Sequence, residues 1–233
     1  MIWEQAPDYD QLSARAASLL LDSIRANPQI VLGLPTGKTP TGMYERVVRD
    51  CKREYHCFKD VTTFNLDEYV GIPKEHDGSY ATYMKRVLFD HIDIDPSHTH
   101  IPNGMSHNLE FECRRYEAEI DDAGGIDLTF LGLGRNGHIA FNEPGTPFRS
   151  RTRVVDLSES TRAANAAYFP DGNVPSQAIT MGIATIMASK RIVLLATGSG
   201  KQEAIARLRS RQISVDFPAS VLWTHPNVHV LVA

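Results

Sequence analysis

The chain has 233 residues and a mass of 25.9 kDa, which suits one large globular domain or two small ones. Hydrophobic residues make up 42% of the sequence and charged residues 22%, a composition that excludes disorder over the whole length. The formal net charge is −4 and no run of lysine and arginine stands out, so a nucleic-acid backbone is not the expected main partner.

The apolar pattern predicts helices and strands that alternate along the chain. In chain order these are a helix at 10–26, a strand at 30–34, a helix from Thr39 onward, a strand at 61–66, helices at 79–90 and 108–123, a strand at 127–133, a helix at 176–189, a strand at 191–196, a helix at 199–209 and a strand at 228–232. Thr39 is predicted to be the N-cap of its helix and Pro40 the first helical residue. Short strands that are apolar on both faces are typical of a parallel sheet covered by helices on both sides.

This alternation predicts a single α/β domain over residues 1–233, with a doubly wound, mostly parallel, Rossmann-like sheet. Residues 145–172 are rich in arginine, serine and threonine between apolar blocks, and we expect them to form a small mobile lid. In such a fold, ligands bind beyond the carboxyl ends of the strands. The residues that follow each strand are therefore the candidate site residues.

The cysteines and the N-terminus favour a reducing compartment. Cys51, Cys57 and Cys113 form neither a CxxC pair nor an even disulfide set. The first residues, MIWE, include an acid and do not begin an apolar signal segment. No apolar stretch approaches the ~20 residues that a membrane span needs. We therefore expect a soluble cytoplasmic protein without a membrane partner.

Two glycine-containing turns between a strand and a helix are candidate phosphate sites. Thr36, Gly37, Lys38 and Thr39 follow the strand at 30–34, and residues 197–201, TGSGK, follow the strand at 191–196. Small residues let the backbone approach an anion, and a helix N-terminus offers free N–H groups and the positive end of the helix dipole. Lys201 could add a point charge. The alternatives are an ordinary tight turn and a solvated surface lysine.

Two acids follow the strand at 61–66. Asp67 and Glu68 stand at the strand end, where one carboxylate can face the predicted cleft. A half-buried carboxyl there could have a raised pKa and act as a general base. The alternative is that the acid only caps a turn or a helix.

The glycines after the strand at 127–133 match the spacing GxGxxG. Gly132, Gly134 and Gly137 are followed by a proline only seven residues after the last glycine, so the long helix of a dinucleotide site has no room. His138 and Glu143 stand too far apart to share a helix face, although a loop could turn both side chains inward. The carboxylate would then fix the tautomer of the imidazole. A purely structural histidine stays open as the alternative.

The other histidines do not have the spacing of metal ligands. His98 and His100 are two residues apart, and no HExxH motif or comparable ligand spacing occurs. We therefore expect no metal site.

Four sequence blocks together resemble one enzyme family. In chain order they are LPTGKTP at 34–40, FNLDEYVG at 64–71, GLGRNGHIAFNEPG at 132–145 and SRTR at 150–153. In these blocks the chain resembles the glucosamine-6-phosphate deaminase family, from about residue 10 to the C-terminus. The resemblance implies a doubly wound α/β fold related to sugar-phosphate isomerases and lactonases. It also implies conversion of glucosamine 6-phosphate to fructose 6-phosphate and ammonia in amino-sugar catabolism, without a metal or redox cofactor.

The resemblance also implies roles for individual residues. His138, oriented by Glu143 and flanked by Asn136, would move a proton to the ring oxygen and open the sugar. Asp67 would take the proton from C2 and return it at C1. The implied phosphate-binding residues are Thr36, Gly37, Lys38, Thr39 and Lys201.

Three positions depart from the pattern of that family. Asn136 replaces a second acid that many members have, and its amide could still orient the neighbouring groups. Ala167 stands where an arginine usually reaches the phosphate, a loss of roughly 1.5–3 kcal/mol of binding. Val155 stands where allosterically activated hexamers have a lysine, so we expect no such activation and a monomer or small homo-oligomer.

We hypothesise that a nearby cation compensates for Ala167. The candidates by proximity in sequence are Lys38, Arg151 and Arg162. Two other functions are left open. A 6-phosphogluconolactonase-like hydrolase would share the phosphate site and the glycine–histidine turn but not the acid block at 67–69. A non-catalytic sugar-phosphate sensor is the third, although the helix-turn-helix domain of such regulators has no room before residue 30.

Overall fold

The computed structural model describes residues 1–53, 58–169 and 172–233. In this part of the chain the strands are β1 Ile2–Gln5, β2 Val31–Leu34, β3 Thr62–Asn65, β4 Asp67–Tyr69, β5 Thr99–His100, β6 Leu128–Gly132, β7 Arg153–Asp156, β8 Gln177–Thr180, β9 Arg191–Ala196 and β10 Val228–Val232. The α-helices there are α1 Tyr9–Ala26, α2 Lys38–Cys51, α3 Tyr80–Val87, α4 Leu109–Asp122, α5 Glu159–Asn165, α6 Ile183–Met187 and α7 Gln202–Arg209.

The described strands form a parallel sheet of seven strands in the order β1-β10-β9-β6-β2-β3-β5. From β2 the chain adds β3 and β5 on one side, and later β6, β9 and β10 on the other. The order therefore reverses between β2 and β6, which makes the crevice beyond their carboxyl ends the expected ligand site. The doubly wound, mostly parallel α/β fold predicted from the sequence is confirmed.

Apolar side chains fill the space on both faces of this sheet. Along β9, Val193 and Leu195 belong to the core under α1 and α2, whereas Ile192 and Leu194 belong to the core under α4 and α7. This alternation follows from the two-residue period of a strand. The sheet is thereby fixed as a rigid platform for the loops at its edge.

A small antiparallel sheet, in the order β4-β8-β7, carries part of the site. Asp67 opposes Thr180 across β4 and β8, so the chain leaves the main sheet after β3 and enters the second sheet at once. The predicted strand at 61–66 is therefore shorter than expected. The predicted helix at 176–189 is wrong in its first half, because Gln177–Thr180 pairs on both edges as β8 and only Ile183–Met187 is helical.

The helix starts show which capping predictions hold. Ser79 and Asn108, the first residues of the predicted helices at 79–90 and 108–123, accept N–H bonds as the N-caps of α3 and α4. Thr39 is not an N-cap. The helix begins at Lys38, and Gly37 occupies the cap position with a φ of 99°, a conformation that glycine adopts without strain. Residues 199–201 form a short 3₁₀ turn before α7 rather than its first turn.

The predicted lid at 145–172 contains β7 and α5, while Pro170 and Asp171 lie outside the described residues. β7 pairs with β8, and Glu117 on α4 binds Arg151 and the Thr152 amide just before it. The first part of the segment is thus bonded to the rest of the domain, so α5 and residues 166–169 remain the described candidates for motion. In the described part of the chain no helix combines the length and apolar character needed to cross a membrane.

Candidate active site

A cleft of about 920 Å³ opens beyond the carboxyl ends of β2 and β6. Its volume is in the range of small-molecule sites. Eight of the nine predicted site residues line it, namely Thr36, Gly37, Lys38, Thr39, Asp67, Asn136, His138 and Lys201. The ninth, Glu143, lies behind the wall and contacts Asn136 and His138. The fold thus brings together residues from four separate loops.

Asp67 is a buried carboxyl at the cleft wall. It begins β4, and only 6% of the residue is exposed. Burial, and secondly the negative charge of Glu68, raise the pKa of Asp67 to about 8. At neutral pH burial therefore favours the protonated form of this carboxyl.

Glu68 has a structural role that differs from that of Asp67. Its carboxylate accepts backbone N–H bonds from Tyr69 at 2.8 Å, Tyr80 at 3.0 Å and Ala81 at 2.9 Å, the last two at the start of α3. Burial raises the pKa of Glu68, while these three bonds oppose the rise. The bonds join β4 to α3 and so hold the backbone that presents Asp67.

His138 and Glu143 form a pair in the loop after β6. The distance from His138 Nδ1 to Glu143 Oε1 is 3.6 Å, longer than a hydrogen bond, and Nδ1 is buried with no other hydrogen-bond partner among the described residues. Asn136 Nδ2 donates to Glu143 Oε2 at 2.6 Å. The imidazole, then hydrogen bonds from Thr161 and Asn136, hold the pKa of Glu143 at about 2 against the effect of burial. A proton on Nδ1 that faces this carboxylate leaves Nε2 as the basic nitrogen.

The glycines of this loop serve the turn that presents His138. Gly137 has a φ of 85°, and a Cβ atom there would lie 2.1 Å from the Phe217 ring. A Cβ on Gly134 would lie 2.4 Å from the His138 ring. The chain continues as turns over 133–147 rather than as a helix. The Phe217 and His138 rings, which leave no space for a side chain, explain why glycine stands at positions 137 and 134.

Side-chain hydroxyl groups donate hydrogen bonds to two carbonyls of the turn at 35–38. Tyr44 donates to the Pro35 carbonyl at 2.6 Å, and Tyr83 and Thr41 donate to the Gly37 carbonyl at 2.8 and 3.0 Å. The N-terminus of α2 has no side-chain cap. Its first N–H groups therefore stay available to an anion at this end of the cleft.

A second cation, Arg135, stands beside Lys201 at that end of the cleft. Both residues line the cleft, and a Cβ on Gly200 would lie 2.9 Å from Arg135 Nε. Burial, and secondly the charge of Arg135, lower the pKa of Lys201. Arg135 was not among the predicted site residues, although its place inside the glycine loop after β6 was a usable signal.

Of the cations considered in place of Ala167, only Lys38 lines the cleft. Arg151 is paired with Glu117 at 2.8 Å, and Arg162 is not part of the cleft wall. Ala167 itself is exposed. Thr161 was also missed: it lines the cleft and donates to Glu143 Oε1 at 2.7 Å, and no spacing rule links two residues 18 positions apart.

Within the described ranges, His, Cys, Asp and Glu side chains form no group of three or more that could hold a metal ion.

Comparison with known proteins identifies the family. A family model described as glucosamine-6-phosphate isomerases/6-phosphogluconolactonase matches residues 7–231. A glucosamine-6-phosphate deaminase of Shouchella clausii is 55% identical over 96% of this chain and 91% of its own length. The chain belongs to the glucosamine-6-phosphate deaminase family. Glucosamine-6-phosphate deaminase 1 of Bacillus subtilis is 52% identical over 96% of this chain and 93% of its own length.

Solved structures agree with this membership of the deaminase family. A structure described as a monomeric glucosamine-6-phosphate deaminase is 50% identical and superposes with a TM-score of 0.97, covering 100% of this chain and 97% of its own. The 6-phosphogluconolactonase of Thermotoga maritima superposes with a TM-score of 0.76 at 20% identity, covering 100% and 99% of the two chains. The lactonase likeness concerns the fold alone.

Proposed function

We propose that this enzyme converts glucosamine 6-phosphate and water to fructose 6-phosphate and ammonia. The observation that carries the proposal is the single cleft in which a carboxyl of raised pKa, a histidine–glutamate pair and an uncapped helix N-terminus with two cations line the same space. The proposed reaction uses the histidine for ring opening, the carboxyl for proton transfer between carbons, and the helix N-terminus with its cations for the phosphate. Membership of the deaminase family supports the same substrate.

His138 is proposed to act first, on the closed sugar ring. Glu143 is ionised at neutral pH and faces Nδ1, so it favours the tautomer whose Nε2 can exchange a proton with the substrate. Transfer of the proton from the C1 hydroxyl to the ring oxygen opens the ring and gives the aldehyde. Asn136 holds Glu143 in place through its second carboxylate oxygen.

Asp67 is proposed to take the C2 proton and return it at C1. A base must be ionised, and burial disfavours that form in the empty cleft. The ammonium group of bound glucosamine 6-phosphate would favour the carboxylate, so the substrate itself would help to activate the base. As the C2 proton moves to C1, the C1 oxygen takes up a proton that the ammonium group gives up, so C1 becomes a hydroxymethyl carbon and C2 carries an iminium group. Water adds to this carbon and ammonia leaves, which gives the ketose.

The phosphate is proposed to lie between the start of α2 and the cations at the far loop. The free N–H groups after Gly37 and the ammonium of Lys201 are the contacts implied by the resemblance. Arg135 is proposed as the second cation, in place of an arginine at position 167. Two adjacent cations repel in the empty cleft, and a phosphate dianion between them removes that repulsion.

We also propose that α5 and residues 166–169 move as the lid, and that the enzyme works as a monomer or small homo-oligomer in the cytoplasm without a metal or redox cofactor. Asn165 and Tyr168 line the cleft, which supports a covering role for this segment. One structural relative is described as monomeric. Sedimentation of the purified chain tests the oligomeric state. Activity after treatment with a chelator tests whether the enzyme needs a metal.

The deciding experiment compares substrates. Ammonia release from glucosamine 6-phosphate should be stoichiometric with fructose 6-phosphate, and 6-phosphogluconolactone should be hydrolysed no faster than in buffer. Heat stabilisation by glucosamine 6-phosphate without ammonia release would indicate a sensor and contradict the proposal. Lactone hydrolysis without deamination would indicate the alternative enzyme on this fold.

A further inference from the structure

The side-chain contacts of Glu143 link the catalytic loop to the helix α5. Glu143 Oε1 is the oxygen nearest to His138 Nδ1, at 3.6 Å, yet it accepts a hydrogen bond from Thr161 Oγ at 2.7 Å. His138 Nδ1 is buried and has no other hydrogen-bond partner in the described part of the chain. The hydroxyl of Thr161 thus binds the same carboxylate oxygen that faces the imidazole and fixes its position.

The direction of this hydrogen bond is fixed by its neighbours. Ser158 Oγ donates to Thr161 Oγ1 at 3.0 Å and accepts the Thr161 N–H at 3.2 Å as the N-cap of α5. Because Thr161 Oγ1 accepts from Ser158 and Glu143 is a carboxylate, the Thr161 proton points to Glu143. Only 9% of Thr161 is exposed, so water does not replace this bond readily. The start of α5 is therefore bonded to the catalytic carboxylate.

The same segment reaches the space where substrate would lie. Asn165, one turn after Thr161 on α5, and Tyr168, just beyond the helix, both line the cleft together with Thr161. A ligand that contacts these side chains would bias the position of α5. Any shift of α5 away from the loop after β6 lengthens the Thr161–Glu143 bond and frees Oε1.

We propose that Thr161 is a positioning residue that couples α5 to the His138–Glu143 pair: its hydroxyl holds Glu143 away from His138, and displacement of α5 releases the carboxylate to the imidazole. This inference rests on the proposed function of that pair. The charged side chains that line the cleft together with His138 are Lys38, Asp67, Arg135 and Lys201, whereas Glu143 lies behind the wall with Oε1 at 3.6 Å from His138 Nδ1. A carboxylate that closes on the imidazole favours its protonated form.

The test follows the NMR titration of the His138 ring in the ligand-free protein, assigned by comparison with His138→Gln. Thr161→Val removes the hydroxyl and keeps the side-chain shape, whereas Thr161→Ser keeps the hydroxyl. The proposal predicts that the titration midpoint of His138 rises by at least half a pH unit in Thr161→Val and stays at the wild-type value in Thr161→Ser. Thr161→Cys, with a weak thiol donor, should give an intermediate shift and serves if the valine variant does not fold.

An unchanged midpoint in Thr161→Val, or in Thr161→Cys where the valine variant does not fold, overturns the proposal. So does an equal shift in Thr161→Ser, because packing and not the hydroxyl would then be responsible. The acid limb of kcat/KM for glucosamine 6-phosphate should move with the NMR midpoint. Since the NMR measurement uses no substrate, absence of deaminase activity would contradict the proposed function and leave the coupling of Thr161 to be judged by the titration alone.

Discussion

Replacing Asp67 with asparagine is expected to stabilise the fold, and the gain should grow with pH. In the unfolded chain Asp67 ionises near its ordinary pKa of 3.8, whereas burial raises the pKa to about 8 in the folded protein. Between these values the folded state holds one more proton than the unfolded state, so the stability contributed at this position falls as pH rises. The unfolding free energy that is lost because of Asp67 changes by about 1.4 kcal/mol per pH unit. This loss reaches at most roughly 4 kcal/mol at pH 7 and vanishes near pH 4.

The assay is urea unfolding of wild type and Asp67→Asn at several pH values from 4 to 9. The difference in unfolding free energy should be near zero at pH 4, rise steadily, and level off above pH 8. Asp122→Asn, which removes an exposed acid at the end of α4, is the matched control and should show no such rise. A difference that is independent of pH, or an asparagine variant that is less stable at every pH, would refute the burial argument.

Three further substitutions test the surroundings of the cleft. Glu68→Gln should destabilise the fold by about 2 kcal/mol in thermal unfolding, because the amide NH2 that replaces one carboxylate oxygen cannot accept an N–H bond and would face a backbone donor. Gly137→Ala should lower the unfolding free energy by more than about 2 kcal/mol, because the added Cβ atom clashes with Phe217. Gly145→Ala, which is also at positive φ but has open space around it, should lower the unfolding free energy by about 1 kcal/mol. Arg135→Gln should raise KM about 10-fold while kcat stays within twofold of wild type, and adding Ala167→Arg should restore KM. An unchanged KM in Arg135→Gln would show that Arg135 does not bind the phosphate.

Much of the main sheet could be predicted from the sequence because its strands carry a strong local signal. Apolar runs such as 191–196 and 228–232 have few other stable environments than a buried parallel sheet. The small sheet was missed because β4 has three residues, and β7 and β8 are stabilised by each other rather than by an apolar pattern. Helix starts were predictable where Ser79 or Asn108 cap them, and not at Gly37, where the cap is a backbone conformation.

Most residues of the candidate site could be predicted from the sequence, but their pKa shifts and mutual contacts could not. Motifs after strands located Asp67 and His138, since parallel strands end at one edge. The raised pKa of Asp67 depends on how deeply β4 is buried, which no local pattern reports. Thr161 reaches the cleft because α5 packs against a loop that is distant in the chain. Its contribution follows from the structure only, whereas the position of Arg135 in the glycine loop after β6 was a usable signal.

The central claim is that Asp67 performs proton transfer on a sugar phosphate bound in this cleft. Calorimetric binding of glucosamine 6-phosphate and ammonia release should be measured on the same preparations of wild type and Asp67→Asn. We expect the variant to bind glucosamine 6-phosphate within about 10-fold of wild type and to release ammonia at least about 100-fold more slowly, as loss of a general base requires. Ammonia release by Asp67→Asn at the wild-type rate would contradict the mechanism.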